Sequence, residues 1–219
     1  MSKNKLTKFA ETETFPNFFQ PSREELLSGN FDKKGKWHAF FQNNNPVVLE
    51  LGCGRGEYTV GLSQLYPDKN FIGMDRKGAR MWKGCKYAVD SQMNNVAFLR
   101  TQIDNVNHCF DKHEIDEIWI TFPDPQPKKE NKRLTSLRFL DRYRQFLVPE
   151  AKINLKTDSD LLYQYTQEVI AENHYKTLIQ IDDVYGQALV SPELNIHTYY
   201  ENLWLEKGLK IKYLQFVID

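Results

Sequence analysis

A chain of 219 residues, 41% of them hydrophobic, can bury one sizeable core, and α/β chains of this length ordinarily fold as a unit. Its 29 basic and 29 acidic residues cancel, and Cys53, Cys85 and Cys109 are odd in number and far apart, which excludes a disulfide framework or a Cys-x-x-Cys zinc site. No stretch approaches the roughly 20 apolar residues of a membrane span, and the charged start from Met1 to Lys8 leads into no apolar export segment, so the expectation is a soluble, cytoplasmic protein with no membrane partner.

Residues 1–45 read as an N-terminal extension, partly irregular, either laid on the domain of residues 46–219 or left mobile. Phe15, Phe18 and Phe19 are scattered among polar residues there, and Pro16 and Pro21 interrupt any regular element. From Pro46 onward strands and helices alternate. Val47, Val48, Leu49 and Leu51 predict a short buried strand, and Gly52, Gly54 and Gly56 predict a sharp turn into a helix running to about Tyr66. Such a turn brings backbone close to a ligand with no Cβ in the way, although a ligand-free strand-to-helix turn uses glycines too. The spacing, with Glu50 at the strand end, differs from the Gly-x-Gly-x-x-Gly of dinucleotide folds. The next apolar run ends at Asp75, about 20 residues further on, where a nucleotide-binding unit carries its ribose acceptor. An acid there can also cap a helix. A helix follows through Trp82 and Ala88, then strands from Val96 to Leu99 and from Glu117 to Phe122. Leu137, Leu140, Tyr143 and Leu147 predict a helix over Thr135 to Leu147. Ala151 to Thr157 predicts a fifth strand, Asp158 the cap of a helix to about Asn173, and Thr177 to Ile181 with Leu209 to Ile218 the last two. This order implies a mostly parallel sheet covered on both faces.

Ligands of open α/β sheets bind at the carboxyl ends of the strands. Those ends are Glu50 to Gly56, Asp75, Leu99 to Asp104, Phe122 to Lys129, and Lys156 to Asp158. Pro123, Pro125 and Pro127 can continue neither sheet nor helix, so they hold an irregular loop and present Asp124 rigidly. From Lys128 to Arg144 there are seven basic residues against two acidic ones. Phosphate binding depends on such local patches more than on net charge, although a solvated basic helix face would look the same. The five histidines show no metal-ligand spacing, and the four tryptophans read as core or edge packing. No metal is expected.

The acid-Leu-Gly-x-Gly-x-Gly run at Glu50 to Gly56 resembles the first motif of the S-adenosylmethionine-dependent methyltransferases. Pro123-Asp-Pro-Gln-Pro-Lys-Lys129, then Asn131-Lys-Arg-Leu134, resembles the Pro-Asp-Pro-Trp-Pro-Lys-Lys-Arg-His-x-Lys-Arg-Arg-Leu signature of the bacterial tRNA (guanine-N7-)-methyltransferases. Leu155-Lys-Thr-Asp158 and Thr198-Tyr-Tyr-Glu201 are similar to two further motifs of that family, in the same order. The resemblance runs from about Pro46 to the C-terminus. It implies a class I, Rossmann-like, doubly wound α/β fold with a mostly parallel seven-stranded sheet, S-adenosyl-L-methionine as cofactor, and a guanine in the variable loop of tRNA as substrate. It puts cofactor contacts on Glu50, Gly52, Gly54, Gly56, Asp75, Gln102 and Asp124, with Asp124 also catalytic. Substrate contacts fall on Lys128, Asp158, Thr198, Tyr199, Tyr200 and Glu201, and RNA contacts on Lys129, Lys132 and Arg133. Asp75 replaces the family's usual Glu. Gln102 replaces an Asp, and its amide can both accept from and donate to an adenine. Gln126 replaces the Trp of the signature, and Glu130-Asn131 replace Arg-His, which thins the RNA-binding strip. The implied partner is tRNA, with the protein a monomer or homodimer.

Guanine N7 has an in-plane lone pair that is unprotonated at neutral pH, so its methylation needs no base to expose the nucleophile. Positioning contributes most of the rate, and a carboxylate such as Asp124 offsets the charge appearing on the purine. Asp158 and Glu201 suit the guanine N1–H and exocyclic amine. Asp158 can equally be a plain N-cap, and Thr198-x-x-Glu201 a capping box. Two other readings share part of the pattern. A methyltransferase acting on another RNA or a small-molecule nitrogen would keep the Gly-rich turn, and a non-catalytic RNA-binding module would keep the basic run but could lose the cofactor acids.

Overall fold

A computed structural model describes residues 3–218; residues 1–2 and 219, at the ends of the two expected segments, lie outside it. The chain opens with α1 (Lys3–Thr12), β1 (Phe18–Phe19), α2 (Arg23–Ser28) and α3 (Trp37–Phe41). Pro16 and Pro21 fall between these elements and punctuate them, where the sequence suggested that they prevent them. The alternating part follows as β2 (Val47–Leu51), α4 (Glu57–Leu65), β3 (Asn70–Asp75), α5 (Gly78–Asp90), β4 (Val96–Arg100), β5 (Ile115–Thr121), α6 (Leu137–Tyr143), β6 (Leu147–Thr157), α7 (Asp160–Glu172), β7 (Lys176–Ile181), α8 (Tyr199–Glu206) and β8 (Lys212–Val217).

The strands form one sheet in the order β1-β4-β3-β2-β5-β6-β8-β7. The first six are parallel to their neighbours, β8 runs antiparallel to β6, and β7 antiparallel to β8. Seven strands were expected and eight are present among the described residues. The additional one is β1, whose two residues pair with Phe98 and Leu99 and cover the edge that β4 would otherwise leave open. Side chains alternate across the sheet as the two-residue period requires. Val47, Leu49 and Leu51 pack into a core with Trp37, Phe139, Tyr143 and Leu162, whereas Val48 meets Tyr58 and Leu62 of α4 on the opposite face.

Three expected boundaries shift. The helix predicted over Thr135 to Leu147 is only α6, with Leu137 43% exposed. Its buried face is Phe139, Leu140 and Tyr143; a tight turn from Tyr143 O to Phe146 N then ends it, and Leu147 opens β6. That strand starts early because Leu147 pairs with Ile115, while an irregularity before the Glu117–Lys152 pair takes up Pro149 and the left-handed Glu150. The N-cap of α7 is Ser159, whose hydroxyl accepts from Leu162 N at 3.2 Å, so Asp158 is released from that role. The central strand β2 has β3 on one side and β5 on the other, and the chain leaves it in both directions. The carboxyl ends of β2 and β5 therefore flank the switch-point crevice.

Candidate active site

The Gly-rich turn hangs from the end of β3. Gly52 N and Cys53 N both donate to Met74 O, at 2.8 and 3.1 Å, and Gly54 N donates to Asp75 Oδ2 at 3.0 Å. Lys77 N donates to the other Asp75 oxygen at 2.8 Å. Each carboxylate oxygen keeps an acceptor position for a ligand. Gly54 has φ +56°, and a Cβ there would meet only Gly52 O, at 3.9 Å; the space before it is open. Gly56 differs, because its Cβ would lie 2.6 Å from the Phe98 ring and 3.2 Å from Gly84 Cα. Gly56 lets α4, α5 and β4 close on one another, which corrects its place among the ligand contacts.

Glu50 lies beneath the turn, buried. Its carboxylate accepts from the Thr59 hydroxyl and, at 2.7 Å, from the Thr121 hydroxyl. Burial raises its pKa, while the two hydroxyls work the other way. No ion pair reaches it among the described residues. Above these groups opens a cavity of about 540 Å³, lined by Glu50, Gly52, Gly54, Asp75, Gln102 and Asp124 together with Lys132, Thr198, Tyr199 and Tyr200. The chemistry of this set fits a ligand with a ribose diol for Asp75, a base for the exposed Gln102 amide, and a positive charge for Glu50.

Asp124 stands on the loop after β5, exposed, with Oδ1 accepting from Gln126 N at 3.0 Å. Phe122 and Gln126 on either side are both left-handed, at φ +48° and +47°, a strained backbone that surrounding contacts must hold. Arg133 is one such contact and corrects an expectation. It is 3% exposed, its Nε donates to Pro125 O at 3.1 Å, and its guanidinium lies 4.2 Å from the Tyr165 ring centre. Arg133 braces the Asp124 loop from behind and offers nothing to a phosphate. Most of the remaining basic run is neutralised. Arg138 and Arg142 meet Asp104 at 2.6 and 3.5 Å, and Arg144 meets Asp141 at 2.6 Å. Lys128, Lys129 and Lys132 remain exposed with no ion pair among the described residues. Lys128 and the half-buried Asp158 stand outside the cavity lining; burial raises the Asp158 pKa.

Thr198 and Glu201 form a capping box at the start of α8: Thr198 Oγ1 accepts from Glu201 N at 3.1 Å, and Glu201 Oε2 accepts from Thr198 N at 3.2 Å. Glu201 is fully buried, and its other oxygen takes Lys156 Nζ at 2.6 Å and the Tyr185 hydroxyl at 2.7 Å. Its carboxylate is thus occupied, which corrects its expected role at the guanine edge. Lys156 also donates to Leu194 O at 2.7 Å and Ile196 O at 3.2 Å. Burial lowers its pKa and Glu201 counters that. A lysine within the buried strand end from Ile153 to Thr157 was the available signal for this anchor. Tyr199 and Tyr200 are 43% and 38% exposed and meet edge to face at 5.5 Å. Arg55, between two glycines, lies 3.9 Å from the Tyr199 ring centre. No cluster of three or more His, Cys, Asp or Glu suited to a metal occurs among the described residues, and no described helix is long and apolar enough to cross a membrane.

A family model described as putative methyltransferase matches residues 44–214. A tRNA (guanine-N(7)-)-methyltransferase of Bacteroides fragilis is 52% identical over 100% of this chain and 87% of its own length. Its counterpart in Christiangramia forsetii is 48% identical over 99% of both chains. Among solved structures, the 16S rRNA methyltransferase KamB superposes with a TM-score of 0.64 at 12% identity, over 83% of this chain and 92% of its own; that likeness concerns the fold. The chain therefore belongs to the tRNA (guanine-N7-)-methyltransferase family of class I S-adenosylmethionine-dependent methyltransferases.

Proposed function

We propose that the protein transfers a methyl group from S-adenosylmethionine to N7 of a guanine in the variable loop of tRNA, a reaction of the cytoplasm. The bound cofactor supplies an electrophilic methyl on a sulfonium. Asp75 takes the ribose hydroxyls, the Gln102 amide the adenine, and the open face of Gly54 allows close approach of the amino-acid end, whose positive charge Glu50 offsets. The free oxygen of Asp124 stabilises the charge that develops on the purine or holds a guanine N–H, and no residue has to remove a proton from N7. Thr198, Asp158 and Lys128 orient the guanosine, while Lys129 and Lys132 hold neighbouring phosphates.

The supporting observation is the convergence of Glu50, Asp75 and Asp124 from three strand ends on one cavity that Thr198, Tyr199 and Tyr200 also line. The test is mass spectrometry of nucleosides from tRNA incubated with methyl-labelled cofactor: label is expected in 7-methylguanosine. Label in an exocyclic amine, or none in any tRNA, would sink the proposal. Asp124→Asn and Asp124→Ala should each slow turnover by about 10²–10³ while unfolding like the parent, because Asp124 is exposed and gives up one backbone hydrogen bond. Near-parental single-turnover rates would remove Asp124 from the mechanism.

A further inference from the structure

We infer that the cleft grips RNA on two banks, and that the bank opposite Lys129 and Lys132 is a stacking ledge of Tyr199 and Tyr200 bordered by Arg55, Arg76, Lys77 and Arg80. This rests on the tRNA-methylation reading and names the surface that receives the nucleotides flanking the target guanine.

Charge pairing separates this bank from the arginines of α6. In a chain of zero net charge, Arg138, Arg142 and Arg144, on and just after α6, are each engaged by an acid. Arg55, Arg76, Lys77 and Arg80 line the same cavity as Asp75 and Asp124, yet none has an ion pair among the described residues. Glu57, in the same lining, is taken up by Lys83 at 3.2 Å and by Tyr199 N at 2.9 Å. Four cations without counter-ions at the rim of a cavity form a site for anions, and the exposed positions of Arg76, Lys77 and Arg80 suit a phosphate backbone more than a buried carboxylate.

The tyrosines specify which polyanion. Both rings stand on the first turn of α8, which the capping box and the buried Lys156–Glu201 pair fix in place, so little conformational freedom is left to lose on binding. Arg55 covers Tyr199 at 3.9 Å and Arg80 approaches Tyr200 at 5.8 Å. A guanidinium over an aromatic face keeps its N–H edge free for phosphate or a purine edge. Exposed rings flanked by free arginines are the means by which proteins hold bases that have left a helical stack. A duplex would offer no open base faces, and a small substrate would leave most of the cations unused. The occupant that fits is a looped, single-stranded RNA segment whose target base enters the cavity while a neighbour stacks on the ledge.

The experiment measures tRNA binding against salt, together with methylation kinetics, for the parent, Arg76→Ala/Arg80→Ala, Tyr200→Ala and Tyr200→Phe. The double variant should reduce the log–log salt slope by about 1.4–1.8, corresponding to two lost phosphate contacts, and raise KM for tRNA about tenfold. Tyr200→Ala should raise KM with the salt slope unchanged, and Tyr200→Phe should behave as the parent because stacking needs the ring alone. A parental slope and KM in the double variant would overturn the inference, as would Tyr200→Phe failing like Tyr200→Ala. If the parent itself methylates no tRNA, the functional reading fails and the inference with it; if the parent makes 7-methylguanosine and the variants match it, only the inference fails.

Discussion

The Glu50 carboxyl sits in the interior against two threonine hydroxyls, and burial raises its pKa above the usual 4.5. A group whose pKa rises on folding holds its proton more firmly in the folded chain. Its stabilising contribution is therefore complete below the unfolded pKa and is lost as pH rises through the folded one. The cofactor-free protein should lose stability as pH climbs from 4.5 toward neutrality, and Glu50→Gln should flatten that loss. A cationic ligand reverses the sign, since it favours the ionised form: affinity for S-adenosylmethionine should rise over the same interval in the parent and stay level in Glu50→Gln. Calorimetry across that interval checks both, and parallel affinity curves would remove Glu50 from the cofactor site. The acids at the strand ends were legible because strand periodicity fixes where each strand stops. The division of labour among the glycines was not. Gly56 is required by Phe98, a contact between residues far apart in sequence, and no local spacing carries that information. The same holds for Arg133, which reads as one more charge in a basic run and folds inward onto Tyr165.

At the scale of elements, one buried lysine ties the segment from Val184 to Glu201 to β6, alongside the Val184 N to Ile211 O bond and the bonds of Tyr58 and Tyr66 to Glu193. Lys156 lies within β6 and reaches across to Leu194 O, Ile196 O and Glu201, so the strand that carries Asp158 also fixes the helix start that carries Tyr199 and Tyr200. Lys156→Met would leave a buried carboxylate without its cation, the Ile196 carbonyl without its donor, and the Leu194 carbonyl with the Tyr185 hydroxyl alone. Stability should fall by about 3–5 kcal/mol, read from the denaturant midpoint, and proteolysis between Val184 and Thr198 should accelerate. Adding Glu201→Gln should restore part of the loss, because the uncompensated charge is then gone. A loss below about 1 kcal/mol in the single variant would mean that the segment's other hydrogen bonds and apolar contacts suffice to hold it. Elements of strong periodicity were legible to within a few residues, as β2, β3, α5 and α7 illustrate. Those that depend on partners were not: β1 is two residues long and exists only through β4, and α6 stops at Tyr143 although the apolar spacing continues to Leu147.

For the whole molecule, the match to the family model begins at residue 44, yet the main core does not. Trp37 is fully buried between Phe31, Phe41 and Phe110 in the cluster that contains Val47 and Ile115. Its indole donates to Cys109 O at 3.2 Å. The buried Glu114 carboxylate ties the same segment down, accepting from Gly35 N at 2.9 Å, Trp37 N at 3.0 Å and Asp111 N at 2.8 Å. None of these partners was legible, because the short stretch of Trp37, Ala39, Phe40 and Phe41 is too brief to show a period and Glu114 is a charged residue in a loop. The consequence is quantitative. Truncating a buried tryptophan costs about 3–5 kcal/mol against a total stability of about 5–15 kcal/mol for a domain, and removing residues 1–43 would also expose the β4 edge and leave Glu114 buried with a single donor. A chain starting at residue 44 should therefore fail to unfold cooperatively and should aggregate, whereas Trp37→Ala in the full chain should fold with a lowered denaturant midpoint. Circular dichroism melts and gel filtration of the two decide it. A truncated chain that is monomeric, melts cooperatively at the parental temperature and binds S-adenosylmethionine with parental affinity would show that the first 43 residues only rest on a self-sufficient core.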